Sequence, residues 1–267
     1  MTRLQRLFQN KQENVLNIYC TAGYPRLDST LPLMRILQEG GTDIIELGMP
    51  YSDPLADGEV IQHSSSLALA NGMTMKKLFE QLSGMRSPVE DGGVGNDLPV
   101  VLMGYLNPVM QYGFENFCAD AARVGIDALI LPDVPAHEFE IKYQEILNKN
   151  GLEFVFLVTP ETSEERVRQL DRLSSGFLYA VSSSSTTGGK ERDFEAVDTY
   201  LARLKNYGLK NPVLAGFGIR DRETFTQACR HANGAIIGSA LIKVLGKPGA
   251  ELADAKKFVK AVLGHAN

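Results

Sequence analysis

The sequence predicts an α/β chain folded as a single (β/α)8 TIM barrel domain over residues 1–267, with a short extra helix at the N-terminus. Three observations carry that expectation. Eight short apolar runs alternate with eight amphipathic stretches. No Gly-x-Gly-x-x-Gly follows the first run, as an open doubly wound sheet for dinucleotides would usually show. The 267 residues, 44% of them hydrophobic, suffice for one large core.

The runs at 15–20, 44–47, 100–103, 128–131, 154–158, 177–181, 212–215 and 235–237 are rich in Val, Ile, Leu, Phe and Tyr, as parallel strands buried on both faces are. Between them, 31–38, 75–82, 114–122, 139–147, 164–173, 194–204, 222–229 and 252–263 place apolar residues near helical spacing. Ahead of the first strand, Leu4, Leu7 and Phe8 share one helical face, which predicts a helix that caps the bottom of the barrel rather than a ninth unit. Residues 87–97, with Pro88 and a run of acids and glycines from Glu90 to Gly93, read as a surface loop.

Composition narrows the function. With 27 basic and 32 acidic residues the net charge is -5, which gives no long-range attraction for nucleic acid or an anionic membrane. An anionic ligand must therefore be held locally. Cys20, Cys118 and Cys229 are odd in number and far apart, which fits a reducing cytoplasm better than a disulfide framework. No apolar run approaches the roughly 20 residues of a membrane span. The four histidines show no HxxxH spacing, so no metal site is expected.

In such barrels chemistry sits on the loops after the strands. The second strand carries Glu46 inside an apolar run, where a carboxylate is costly unless paired or protonated. Glu46 is a candidate general acid/base. From this feature alone it reads equally as a structural carboxylate. Asp53 and Asp57 follow on a loop broken by Pro50, Pro54 and Gly58, where each taken singly reads as a cap. Three acids at one strand end are more suggestive, since carboxylates in different surroundings divide into proton donor and polar anchor.

The seventh and eighth strands run into Gly216-Phe-Gly218 and Gly238-Ser239, whose backbone N–H groups and helix start suit a phosphate. The sixth leads from Tyr179 into 182–190, a Ser/Thr/Gly tract that reads either as a linker or as a lid over the catalytic end.

The run Glu46-Leu-Gly-Met-Pro-Tyr-Ser-Asp53-Pro-Leu-Ala-Asp57-Gly resembles the signature of the tryptophan synthase alpha chain family. The resemblance extends to Tyr19, Thr21, Gly23, Pro25, Leu102, Met103, Asn107 and Asp133-Val-Pro135, essentially the whole chain. It implies cleavage of indole-3-glycerol phosphate, with Glu46 and Asp57 as the catalytic carboxylates; for that reaction Tyr179, by its hydroxyl, is read as orienting Glu46 or the glycerol chain. It implies phosphate contacts from Gly188, Gly218, Gly238 and Ser239, with Thr187 and Gly188 matching the Thr-Gly of the family's lid; Ser185-Thr186 stand where the family commonly has Gly-Val. Tyr19 becomes a wall of the indole pocket, or else a barrel-core aromatic. The resemblance further implies a beta subunit in an α2β2 complex that uses pyridoxal phosphate, and nothing in this chain looks like a pyridoxal site; Asp53, four residues before Asp57 in the acid loop, is read as the partner interface, where a surface gripping the loop also positions the catalytic carboxylate.

A phosphate cradle alone is shared with other barrel enzymes; the three-acid loop separates them. A Schiff-base aldolase needs an interior lysine, and none of the eight runs contains one. A subunit whose main task is to activate its partner stays open as the alternative of another class.

Overall fold

The structure, a computed structural model, describes residues 1–181 and 192–265. In chain order the helices are α1 (Arg3–Asn10), α2 (Thr30–Gly40), α3 (Glu59–Ala70), α4 (Met75–Leu82), α5 (Leu106–Tyr112), α6 (Phe114–Arg123), α7 (Ala136–Glu138), α8 (Gln144–Lys149), α9 (Glu164–Leu173), α10 (Arg192–Lys205), α11 (Arg222–Ala228), α12 (Ser239–Leu245) and α13 (Ala253–Leu263). The strands are β1 (Val15–Thr21), β2 (Ile44–Gly48), β3 (Val100–Met103), β4 (Ala128–Ile130), β5 (Glu153–Phe154), β6 (Leu157–Val158), β7 (Leu178–Ala180), β8 (Val213–Ala215) and β9 (Gly234–Ile237). They form one sheet in the order β5-β4-β3-β2-β1-β9-β8-β7-β6, with every pairing parallel.

The expected fifth strand, 154–158, is split. β5 pairs only with β4 and β6 only with β7, and the extended chain between them changes neighbours. Val155 N–H donates to Leu129 O, while Phe156 O accepts from Tyr179 N–H, both at 3.0 Å. This one run therefore closes the sheet into a barrel. Its own N–H groups at Phe154 and Phe156 find no strand yet on the β7 side and donate instead to the hydroxyls of Ser175 and Ser174, each at 3.1 Å. Side-chain oxygens here replace missing ladder partners.

Strand alternation divides the core in two. Val15, Ile44, Val101, Ala128, Ile130, Val155, Tyr179, Leu214 and Ile236 face inward and pack together, whereas their neighbours Leu16, Ile45, Leu102, Leu129, Leu178, Ala215 and Ile237 face the helices. Leu4 and Phe8 of α1 belong to the inner cluster, with the Phe8 and Phe177 rings 6.4 Å apart. The predicted N-terminal helix thus plugs the barrel at the starts of the strands. Thr2 caps it by accepting from Gln5 N–H, and Gln5 Oε1 accepts from Thr2 N–H in return.

A charged cluster ties down the same end. Asp127, immediately before β4, accepts from Arg86 and Arg3 at 2.9 Å each and from the Val100 N–H at 2.8 Å, with only 2% of its side chain exposed. Arg86 also donates to the Leu98 carbonyl at 2.7 Å, which anchors the 87–97 loop.

The helices α3 and α5 lie in the loops after β2 and β3, where no amphipathic stretch was expected. The face that α3 buries is Ile61, Ser64, Ser65 and Ala68, too small and polar to make an apolar stripe. Ser64 instead shares a 2.6 Å hydrogen bond with Thr21 of β1 and donates to Ile61 O at 2.8 Å.

Removing one partner of a buried charge cluster leaves the others desolvated and unpaired, typically at a cost of about 3–5 kcal/mol. Asp127→Ala is therefore expected to destabilise the chain by roughly that amount in urea unfolding. A midpoint equal to the parent's would contradict the role given to this cluster.

Candidate active site

The C-terminal end of β2 is built around strand parity. Ile45 and Leu47 turn outward into the helix layer, so Glu46 and Gly48 turn inward. Glu46 is fully buried and stands opposite Tyr19 in register. A Cβ at Gly48 would lie 2.1 Å from the Tyr19 hydroxyl, and one at Gly216 would lie 2.1 Å from Cε2 of Tyr179. Glycine at these two strand ends lets each tyrosine lie across its neighbour. Both rings are buried, and both phenols are pushed up in pKa, first by desolvation and then by the nearby carboxylates.

One oxygen of Glu46, Oε2, accepts from Asn17 Nδ2 at 2.9 Å, while Oε1 is buried without a hydrogen-bond partner among the described residues. Desolvation raises its pKa to about 8; the Asn17 bond opposes that shift and the Asp57 charge adds to it. Asp57 is half-buried at the turn into α3. Burial raises its pKa to about 6, against a hydrogen bond from Tyr105 that lowers it. The two carboxyls thus sit on opposite sides of neutrality, Glu46 holding its proton and Asp57 ionised.

The turn carrying Asp57 is fixed from two directions. Tyr105 Oη accepts from Ala56 N–H at 3.0 Å, and Gln62 Nε2 donates to Asp57 O at 2.7 Å. Just after Tyr105, the Leu106 N–H donates to both carboxylate oxygens of Asp133, at 3.0 and 2.9 Å. The loops after β2, β3 and β4 are laced together in this way.

Of the site residues expected from sequence, Glu46, Asp57, Tyr19 and Tyr179 come together. Tyr179, expected to orient Glu46 or the glycerol chain, is placed where the Glu46 charge raises its pKa, and the hydrogen bond to Glu46 comes from Asn17. Gly218 and the pair Gly238-Ser239 end the adjacent strands β8 and β9. Gly218 is exposed with φ +62°, a left-handed conformation that suits glycine, and none of the described residues lies within 4 Å of where its Cβ would be. Gly238 packs on Tyr19 and caps α12, whose first-turn N–H groups have no intrahelical partner. Thr187 and Gly188 lie outside the described residues. Asp53 stands apart on the exposed turn, where Ser52 donates to it at 2.5 Å. A separate cavity of about 300 Å³ opens between the loop after β4 and α9, lined by Leu131, Asp133, Phe156, Leu157 and Arg166, and none of the expected site residues among the described ones lines it.

Asn17 and Tyr105 were not foreseen. Asn17 carried a readable signal, an amide two residues from Tyr19 on the same inward face of an apolar strand; Tyr105 carried none.

Residues 5–266 match the profile of a family described as "Tryptophan synthase alpha chain". Tryptophan synthase alpha chains of Christiangramia forsetii and Flavobacterium johnsoniae are each 48% identical to this chain, over 97% and 92% of it and 98% and 95% of their own lengths. Among solved structures, tryptophan synthase subunit alpha from Legionella pneumophila aligns with a TM-score of 0.86 at 30% identity, covering 98% of this chain and 97% of that one. A tryptophan synthase structure from Mycobacterium tuberculosis aligns with a TM-score of 0.85, also at 30% identity and covering 98% and 97%.

The shifted carboxyls make stability depend on pH. Glu46 moves from an ordinary 4.5 to about 8, so between these values the folded chain binds more protons than the unfolded one and stability falls as pH rises. Asp57 contributes the same sign between 3.8 and about 6. Glu46→Gln is expected to remove most of the loss between pH 6 and 9 and to be more stable than the parent at pH 9, measured by urea unfolding at both values. Parallel profiles for parent and variant would show that Glu46 ionises in the folded chain as freely as in the unfolded one.

Proposed function

The chain belongs to the tryptophan synthase alpha chain family, and on that premise we propose that Glu46 and Asp57 carry its chemistry. Its reaction is the cleavage of indole-3-glycerol phosphate to indole and glyceraldehyde 3-phosphate in tryptophan biosynthesis. The observation that carries the assignment is the split between the carboxyls: a fully buried Glu46 with a pKa of about 8 beside a half-buried Asp57 with one of about 6.

Cleavage is a retro-aldol step in which indole C3 leaves with the bonding electrons. Glu46, protonated near neutral pH, delivers its proton to C3, and the ring nitrogen becomes cationic. Asp57, ionised, accepts the ring N–H and stabilises that charge. The Glu46 carboxylate then takes the proton of the adjacent hydroxyl as the carbon–carbon bond breaks. The bonding electrons return to the ring, neutralising the nitrogen, and indole and the aldehyde separate. One proton leaves Glu46 and one returns, so the group ends as it began.

Tyr19 forms a wall for the indole ring, and Tyr179, its phenol kept neutral by its raised pKa, orients the glycerol chain. Gly218, Gly238 and Ser239 hold the phosphate through backbone N–H groups and the start of α12. Phosphate binding remote from the reacting bond fixes the substrate in register.

Members of the family act in complex with a beta subunit. We assign pyridoxal phosphate to that partner, an α2β2 assembly to the complex, and Asp53 to the interface. Leu55, 83% exposed between Asp53 and Asp57, supports placing a partner against this turn. The single sheet supports reading 1–267 as one barrel domain. No helix among the described residues is long and apolar enough to cross a membrane; three free thiols support a cytoplasmic setting.

Glu46→Gln is expected to bind glycerol phosphate as the parent does and to lose about two or more orders of magnitude in cleavage rate. The parent's kcat/KM is expected to rise through about pH 6 and fall through about pH 8, reporting the carboxyl pair. Steady-state indole release between pH 5 and 9.5 reads both. Near-parental turnover by a folded Glu46→Gln chain would remove Glu46 from the mechanism.

A further inference from the structure

We propose that Asn17 is the positioning residue of Glu46, its amide occupying one carboxyl oxygen so that the other presents the proton to the substrate. The inference rests on the assignment of Glu46 made above.

The geometry is specific. Asn17 is fully buried in β1, two residues before Tyr19 and on the same inward face. In register it stands opposite Ile44, so its side chain reaches Glu46 diagonally across the β1–β2 pair. Nδ2 donates to Oε2 at 2.9 Å. Glu46 Oε1 has no partner among the described residues, and neither has Asn17 Oδ1.

An amide N–H on Oε2 makes that oxygen the acceptor and leaves Oε1 as the site for the proton. A protonated carboxyl otherwise has two equivalent oxygens and free choice between them. Holding the proton on the oxygen without another task is an orientation effect, which acts on the chemical step rather than on binding. The same bond favours the carboxylate formed in mid-reaction, since a donor stabilises the charged form most.

Other groups bear on this carboxyl. Asp57, from the turn before α3, raises the Glu46 pKa. Tyr19 from β1, Tyr179 from β7 and the Cys20 thiol on the outer face of β1 all feel its charge, and burial pushes all three pKa values up, so they stay neutral across the working range. Among these groups Asn17 is the one that lowers the Glu46 pKa. Its loss must therefore move Glu46 upward.

The test uses the chain in complex with its beta subunit and indole-3-glycerol phosphate as substrate. Asn17→Val keeps an inward, strand-compatible side chain without donors; Asn17→Asp keeps the shape and sets a second carboxyl against Glu46. Expected for Asn17→Val are a kcat about tenfold lower, a KM within about twofold, and an alkaline limb moved up by about one pH unit. Expected for Asn17→Asp is a larger upward move of that limb, because two adjacent carboxyls resist double ionisation. If both variants keep the parental kcat and alkaline limb, the inference is overturned. It is also overturned if kcat falls only in step with melting temperature while the limb stays in place, since that is what packing alone would do. Glu46→Gln, run alongside, separates the two claims: an active Glu46→Gln chain sinks the assignment of Glu46, whereas an inactive one with unaltered Asn17 variants sinks only this proposal.

Discussion

Glu46 enters the barrel interior with a hydrogen bond on one oxygen and, among the described residues, none on the other, and burial of that kind penalises the charged form by several kcal/mol. The chain meets the penalty by holding the group protonated near neutrality, which is also the form that can donate to carbon. The surroundings follow from that constraint. Gly48 and Gly216 make room for two large neutral phenols that keep water off the carboxyl. Asp57 sits less deeply, on a turn held by Tyr105 and Gln62, where it keeps its charge at the pH at which Glu46 has lost its own.

The two ends of the barrel are built differently. Glu46 and the close-packed Tyr19 and Tyr179 lie toward the ends of the strands, where loops carry the chemistry in such barrels. At the starts of the strands, α1 buries Leu4 and Phe8, and Asp127 gathers two arginines and a backbone N–H. The split run of β5 and β6 closes the sheet between these ends, with Ser174 and Ser175 supplying acceptors where the ladder is interrupted.

Much of this was legible in residue patterns because the underlying forces are local. A lone acid in Ile44-Ile-Glu46-Leu breaks an apolar run, so Glu46 announced itself, and Leu4, Leu7 and Phe8 announced the capping helix by spacing alone. Asp57 was ambiguous until the whole acid-loop motif was taken together, since one aspartate before a helix is also a cap. Three features escaped for physical reasons. The exchange of partners within 153–158 depends on the stagger of the closed sheet, which leaves no mark on a continuous apolar strand. The helix α3 buries Ser64, which reaches Thr21, and Ser65 beside it, so it shows no hydrophobic stripe. Tyr105 meets Asp57 from a different loop, a contact that only the folded barrel defines. Asn17 was within reach, because an amide buried in a strand needs a partner for the same reason a carboxylate does.

The central claim is a protonation state, and infrared difference spectroscopy reads it without turnover. The spectrum of the parent minus that of Glu46→Gln, recorded at pH 7, is predicted to show the carbonyl stretch of one protonated carboxylic acid, replaced by carboxylate bands as the pH is taken through about 8. Carboxylate bands already present at pH 7, with no protonated acid in the difference, would contradict the account.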